Sequence, residues 1–358
     1  MKALLYTGIG QLELKDVPEP SSDFIIKVLG CGICGTDLKT YQKGHHLFSP
    51  PAILGHEFYG LVEKAPIGCG YLAGDKVVVA PYAECGFCDV CIRGAGSLCA
   101  NKHYVEGGAF CEKVGIASDY IEQGVFPIKE ADDVYTLVEP LACVLNGFEQ
   151  LDLKPTSRAL VVGAGPMGAL FALLFRAKGV PVAVVEPSVQ RRERIASWGI
   201  EAFEPGGAGQ VARLDQAKGS QSNKSGQVES PHAGQAESTR PGHVEKGLYD
   251  IAIIAVNKKE LVSEYIRLVA DAGTVLMFSG LSSDEIVAID AYSIHYRQVS
   301  LKGSFGYALH HFKEALSLIE AHKEMFSKII THNYPLKRGK EAFEMLASGE
   351  ALKIVLRP

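Results

Sequence analysis

Two sets of residues in this chain have the types and spacing to hold a metal ion, and the spacing assigns them different work. Cys85, Cys88, Cys91 and Cys99 follow one another as C-x2-C-x2-C-x7-C. That spacing lets four thiolates turn inward on one small ion at about 2.3 Å each, as tetrahedral zinc requires. Disulfides fit less well, because the chain has nine cysteines, an odd number, and shows no export signal. Gly86, Gly94 and Gly96 suit a loop wrapped around a metal. Four protein ligands leave no open position, so such a zinc is structural. Chemistry must be sought elsewhere.

An open site is offered by Cys34, in Gly32-Ile33-Cys34-Gly35-Thr36-Asp37, with His56 and Glu57, in Gly55-His56-Glu57-Phe58-Tyr59-Gly60. Singly, a buried cysteine or histidine is more often a core residue than a ligand. Here glycines on both sides let the backbone crowd a metal. Glu139, in Glu139-Pro140-Leu141-Ala142-Cys143, could complete the set. Its structural alternative is a first-turn acid favoured by the helix dipole, with Pro140 at the first helical position. Cys143, one turn later, is the rival ligand. A helix N-terminus aims its first acid outward, which favours Glu139. Cys31, Cys69 and Cys111 read as small apolar residues without a role.

A third constellation suits a nucleotide. Arg158-Ala-Leu-Val-Val162 is an apolar run, as in a strand buried on both faces, and Gly163-Ala-Gly165-Pro-Met-Gly168 leads from it into an apolar helix over 169–178. A second strand, 182–185, ends at Glu186, which lies 23 positions after Gly163. In that setting the glycines let the backbone approach a pyrophosphate, and Glu186 would accept from the adenosine ribose. An acid there repels a 2′-phosphate and so prefers NAD to NADP, although Arg191 and Arg192 lie close enough to tolerate one. The alternative role of Glu186 is an acid before the helix opened by Pro187-Ser188. Further strands at 249–256 and 273–278 continue the doubly wound pattern, and their carboxyl ends, Val256 and Ser279-Gly280, should face the nicotinamide half.

The elements that must position these groups fall into two kinds. Residues 1 to about 145 read as short strands bounded by Gly, Pro, Asp and Ser. Strands alternating with helices follow, interrupted at 205–247 by a stretch rich in Gly, Ser, Gln and charge that buries too little apolar surface to order itself. Helices are expected over 309–321 and 339–347, and a closing strand over 353–356. At 358 residues with 47% hydrophobic and 22% charged composition, the chain is long enough for two ordinary domains. A net charge of −5 leaves no basic footprint for nucleic acid, and no apolar run approaches a membrane span. Reduced cysteines without an export signal point to the cytoplasm.

The order of these motifs, Cys-Gly-Thr-Asp, Gly-His-Glu, the four-cysteine lobe, Glu-Pro-Leu-Ala and the Gly-rich turn, resembles the zinc-dependent medium-chain dehydrogenase/reductase family. Glu139-Pro140-Leu141-Ala142 is most similar to its polyol (sorbitol-type), butanediol and threonine dehydrogenase branch. The resemblance implies an α/β protein: a mostly-β, GroES-like catalytic domain over 1–145 and 293–358, with a doubly wound, parallel-sheet Rossmann domain over 146–292 between them. It implies zinc held by Cys34 and His56, with Glu57 as a ligand or a carboxylate behind the metal, and Glu139 as a third ligand or water-mediated contact. It gives Thr36 the passage of the alcohol proton, and Met167, Glu186 and Arg191 contacts to the nucleotide. The branch commonly carries a relay histidine where this chain has Lys39, five residues after Cys34; His45 and His46 are nearby loop histidines that could stand in. Two zinc ions per subunit, NAD, and a homodimer or homotetramer are implied as well. The expected reaction is oxidation of a secondary alcohol of a polyol or sugar alcohol to the ketone, with Tyr41 and Tyr59 as pocket residues. The competing expectations are an amino-alcohol substrate, such as L-threonine or an aminocyclitol, and a catalytically inert nucleotide-binding relative.

Overall fold

The computed structural model describes residues 1–206 and 247–358, so the low-complexity stretch expected at 205–247 lies, apart from its ends, outside the described residues. The chain divides into one unit made of Met1–Asn146 with Phe305–Pro358 and a second made of Gly147–Ser304. Among the described residues no helix is long and apolar enough to cross a membrane.

The first unit is organised around the strand Phe24–Gly32. It pairs antiparallel with Glu57–Lys64 on one edge and Lys353–Arg357 on the other, and with Lys113–Ile116. Lys76–Val79 and Val125–Pro127 extend the sheet beyond Glu57–Lys64, and Ile330–Pro335 joins Lys353–Arg357 in parallel. Phe24, Ile26 and Val28 are buried with Phe58, Val62, Phe110 and Phe343 in one core. Seven of its nine residues are buried and Lys27 is exposed, as suits a strand flanked by neighbours inside the sheet.

Register decides where the chemistry falls. Gly32 lies opposite Glu57 on one neighbour and opposite Val355 on the other, so two strand ends meet there beside the middle of the closing strand. A Cβ on Gly32 would sit 2.3 Å from Glu57 Oε2, and only a residue without a side chain leaves that carboxylate its place. Farther along the same pair, a Cβ on Gly60 would sit 2.2 Å from the Lys27 carbonyl oxygen.

The second unit is a six-stranded parallel sheet. Its strands in chain order are β1 (Ala159–Val162), β2 (Val182–Val185), β3 (Glu201–Phe203), β4 (Ile251–Ile254), β5 (Thr274–Met277) and β6 (Ser300–Gly303), and they lie side by side as 3-2-1-4-5-6. That is the doubly wound arrangement that binds dinucleotides at the strands' carboxyl ends. All four residues of β1 and of β4 are buried. The sequence reading returned the chain to the first unit at 293, whereas β6 pairs in parallel with β5 and carries the second unit to Ser304. An edge strand is covered on one side only. Ser300-Leu-Lys-Gly303 therefore lacks the apolar run that betrays β1.

Because the obstruction at Gly60 is backbone, Gly60→Ala is expected to destabilise the protein by about 1–3 kcal/mol in urea unfolding. A midpoint and slope equal to wild type would refute this close packing of the two strands.

Candidate active site

Cys34 caps the helix Gly35–Lys43, and Asp37 at its third position accepts the Cys34 backbone N–H at 2.9 Å. The other Asp37 oxygen accepts from Gly55 N–H at 3.2 Å and faces His56 Nδ1 at 3.7 Å. One fully buried carboxylate thus ties the two glycine-flanked loops together and leaves His56 Nε2 as the ring nitrogen for a metal. Burial raises the Asp37 pKa, and the His56 charge opposes the rise. Burial works against a charged His56, but Asp37 and Cys34 outweigh it and hold the ring well above its ordinary value.

The Cys34 sulfur, a His56 ring nitrogen and a Glu57 oxygen all lie within 4.8 Å of one another. Glu57 is fully buried, and Lys353 donates to both its oxygens at 2.8 and 2.6 Å and to the Ile33 carbonyl at 3.2 Å. Burial disfavours the Lys353 charge, yet Glu57 and Cys34 raise its pKa overall. Glu139 stands in the first turn of the helix Val138–Glu149 and accepts the Cys143 S–H at 3.7 Å. Burial lifts the Glu139 carboxyl to about 7; the His56 charge opposes this and Glu57 adds to it. The expected set of Cys34, His56, Glu57 and Glu139 therefore occupies one neighbourhood, the two carboxylates buried and Cys34 and His56 half-buried, in which negative groups outnumber positive ones. That donor set, thiolate, imidazole and carboxylate, fits zinc.

Sequence reasoning missed Asp37 and Lys353. Asp37 stood inside a motif already singled out, and Lys353 is the one charge opening the apolar run Lys353–Leu356. Thr36 is half-buried on the first turn after Cys34, and Lys39 is exposed one turn on. Lys39 lies within electrostatic reach of His45, whose pKa is lowered by burial and by the charges of His46 and Lys39. His45 Nδ1 accepts the Leu47 N–H at 3.3 Å and its ring stacks on His46, as loop histidines would. The two tyrosines expected in the pocket do other work. Tyr41 packs edge-on against Phe343 in the core, and the Tyr59 hydroxyl donates to Asp133 at 2.9 Å.

The four-cysteine lobe forms a tight knot. Its sulfurs lie 3.9 Å (Cys85–Cys91), 3.4 Å (Cys88–Cys91), 3.8 Å (Cys88–Cys99) and 3.5 Å (Cys85–Cys99) apart. Four sulfurs about 2.3 Å from a central zinc would be about 3.8 Å from each other, so the knot fits that ion. Gly86 and Gly94 turn the chain with φ of 78° and 80°. Backbone N–H groups of Phe87 and Cys88 pull the Cys85 thiol down to about 6 against burial.

In the second unit, Gly163 has φ 103°, and a Cβ there would meet Val256 Cγ1 at 2.3 Å. A Cβ on Gly168 would sit 1.9 Å from the Gly163 carbonyl oxygen, whereas one on Gly165 would meet nothing within 4 Å. Two glycines close the turn and the third leaves room for a ligand, the cradle a pyrophosphate needs at the helix Pro166–Ala177. Met167 is half-buried in that helix's first turn. Glu186 is buried at the end of β2; its oxygens accept from Ala164 N–H at 2.7 Å and Ser188 N–H at 3.0 Å, bracing the turn. Arg192 donates to the carbonyls of Glu186 and Pro187 at 2.7 Å each, while the Arg191 N–H is capped by Ser188 Oγ at 3.4 Å. Val256 and Ser279-Gly280 follow β4 and β5, with the Ser279 N–H donating to Ile254 at 3.2 Å.

Comparison with known proteins agrees with this architecture. An alcohol dehydrogenase GroES-like domain model matches residues 20–128, and a zinc-binding dehydrogenase model matches residues 166–321. This chain belongs to the zinc-dependent medium-chain dehydrogenase family, a GroES-like catalytic domain with a Rossmann domain, and it is an oxidoreductase using zinc and a nicotinamide cofactor. D-arabinitol dehydrogenase 1 of Uromyces fabae is 28% identical over 355 residues, covering 96% of this chain and 92% of that one. The structure of 2R,3R-butanediol dehydrogenase from Bacillus subtilis superposes with a TM-score of 0.80 at 25% identity, covering 100% and 99%. A Sinorhizobium meliloti structure bound to NADP has a TM-score of 0.79 at 27% identity, with the same coverage.

Metal analysis should find two zinc ions per chain, and Cys88→Ser should retain one while losing thermal stability. An unchanged zinc count in that variant would remove the structural site. Lys353→Met should destabilise the fold by about 3–5 kcal/mol, because Glu57 is left buried without its cation. Adding Glu57→Gln should recover part of that loss in urea unfolding, and no recovery would separate the two residues energetically.

Proposed function

We propose that the protein interconverts a secondary alcohol of a polyol or sugar alcohol with its ketone, using NAD(H). The observation that carries this reading is that the Cys34 sulfur, a His56 ring nitrogen and a Glu57 oxygen lie within 4.8 Å of one another, with buried Glu139 near enough to feel the His56 and Glu57 charges. It is supported by the family and by likeness to an arabinitol and a butanediol dehydrogenase. Zinc bound there supplies a Lewis acid and the nicotinamide supplies a hydride acceptor.

Cys34 and His56 hold the metal, with Glu139 as the third ligand. Glu57 is the poorer choice because Lys353 already occupies both of its oxygens. Glu139, pushed up to about 7 by burial, gains most from a cation beside it. Asp37 keeps the imidazole turned to the metal. The Thr36 hydroxyl would relay the alcohol proton outward, accepting it while releasing its own toward solvent, and Lys39, exposed one turn later, would orient a hydroxyl at the outer end of that path. A polyol offers several hydroxyls to such a carboxylate-rich, partly wet site, which a simple apolar alcohol does not.

NAD is the preferred cofactor on the strength of buried Glu186, which repels a 2′-phosphate, while Arg192 is engaged by carbonyls. The NADP-bound relative keeps the alternative in the test. The reading includes two zinc ions per chain and self-association as a dimer or tetramer.

The deciding experiment assays sorbitol, butanediol and threonine side by side with NAD and NADP, in the wild type and in Cys34→Ser. Turnover of a polyol with NAD, abolished in the variant while NADH still binds, is expected. Full activity in Cys34→Ser would overturn the metal assignment, and turnover of threonine alone would move the substrate to the amino alcohols.

A further inference from the structure

We propose that a cavity at the amino-terminal edge of the second unit's sheet binds a phosphate monoester of a sugar or polyol, its phosphate held by Arg158, Arg176 and Tyr249 and its hydroxyls by Glu201. The cavity measures about 420 Å³, which is within the size range of small-molecule sites. Arg158 immediately precedes β1, Glu201 opens β3 and Tyr249 lies two residues before β4, so the starting ends of the strands bound the cavity. The Gly-rich turn and Glu186 stand at the other ends, where doubly wound sheets bind dinucleotides. The cofactor therefore does not account for this space.

Its polar groups are uncommitted. The Arg158 guanidinium lies over the Tyr249 ring, 5.7 Å from its centre, and makes no hydrogen bond or ion pair with any described residue. Tyr249 is 5% exposed, yet its hydroxyl keeps contact with solvent and has no partner among the described residues. Burial pushes the Tyr249 pKa up to about 12; the Arg158 charge opposes the rise and the Glu201 charge adds to it. Both charges thus reach the hydroxyl, which stays protonated at neutral pH as a donor. Arg176, exposed in the last turn of the helix Pro166–Ala177, gives one N–H to the Trp198 carbonyl and keeps the rest of its fork. The exposed Glu201 carboxylate accepts from no described residue. A Cβ on Gly179, also in the lining, would meet nothing within 4 Å, so the rim is open there.

These charges select the ligand. Two guanidinium groups against one carboxylate leave a positive surplus, which a phosphate dianion meets and a zwitterion does not. The arginine forks match phosphate geometry and the phenol adds a third donor. Glu201 would repel a bare anion, but it accepts from the hydroxyls of an anion that carries them.

The cavity is separate from the zinc and cofactor sites, so its test stands apart from the reading of the reaction. Calorimetry on the full-length protein, saturated with NADH to fill the opposite edge, measures dissociation constants for glucose 6-phosphate, inorganic phosphate and L-threonine. Wild type should bind glucose 6-phosphate about 10-fold more tightly than either of the others. Arg158→Met should weaken glucose 6-phosphate by about 10- to 100-fold, the loss of hydrogen bonds to a charged group, and Tyr249→Phe by about 3- to 10-fold. NADH affinity equal to wild type shows that each variant is folded. Absent binding of glucose 6-phosphate, an equal affinity for inorganic phosphate, tighter binding of L-threonine, or affinities unchanged in both variants would each overturn the proposal.

Discussion

The first unit is governed by a buried excess of negative charge where two strand ends meet the closing strand. Glu57, Asp37 and Glu139 are all buried around Cys34, while the neighbourhood supplies one permanent cation, Lys353, and one titratable ring, His56. Anions withdrawn from water must be paired or neutralised. The chain settles Glu57 with lysine and Asp37 with backbone N–H groups. What remains, the thiol, the imidazole and the Glu139 carboxyl, offers the donor types that the proposed metal would take.

The second unit meets its ligand by subtraction rather than by charge. Gly163 and Gly168 bring backbone against backbone where any side chain would collide, and Gly165 points its missing Cβ into open space. Glu186 has two tasks. Its oxygens hold the N–H groups of Ala164 and Ser188, fixing the Gly-rich turn to the end of β2, and its remaining lone pairs would serve a ribose in the proposed cofactor. Exchanging it to alter cofactor preference would also loosen the turn that carries the pyrophosphate.

What could be read from the sequence was what is close together in it. The four cysteines span 15 residues and the Gly-rich turn six, so spacing alone exposes both. Cys34, His56 and Glu139 were legible as residue types flanked by telling neighbours. Lys353 was not, because its partner Glu57 stands 296 residues earlier and only the strand register brings them together. β6 was missed for a related reason, since its edge position imposes no apolar pattern on the chain. With it went the stretch that carries the second unit to Ser304. Tyr41 and Tyr59 show the opposite error: both lie near site motifs in sequence, yet one is core and the other pairs with Asp133.

The two metal-ligand sets also differ in how much folding each one requires. The thiolate knot closes a short loop, so its ligands gather at small entropic cost and the ion stabilises a local lobe. The open site needs Cys34 from one strand end, Glu57 from the next, Glu139 from a helix past residue 137 and Lys353 from the last strand of the chain. It exists only when the first unit has assembled across the whole length of the sequence. The glycines at 32 and 60 serve that closure, since they let the strands that carry the ligands approach to backbone contact.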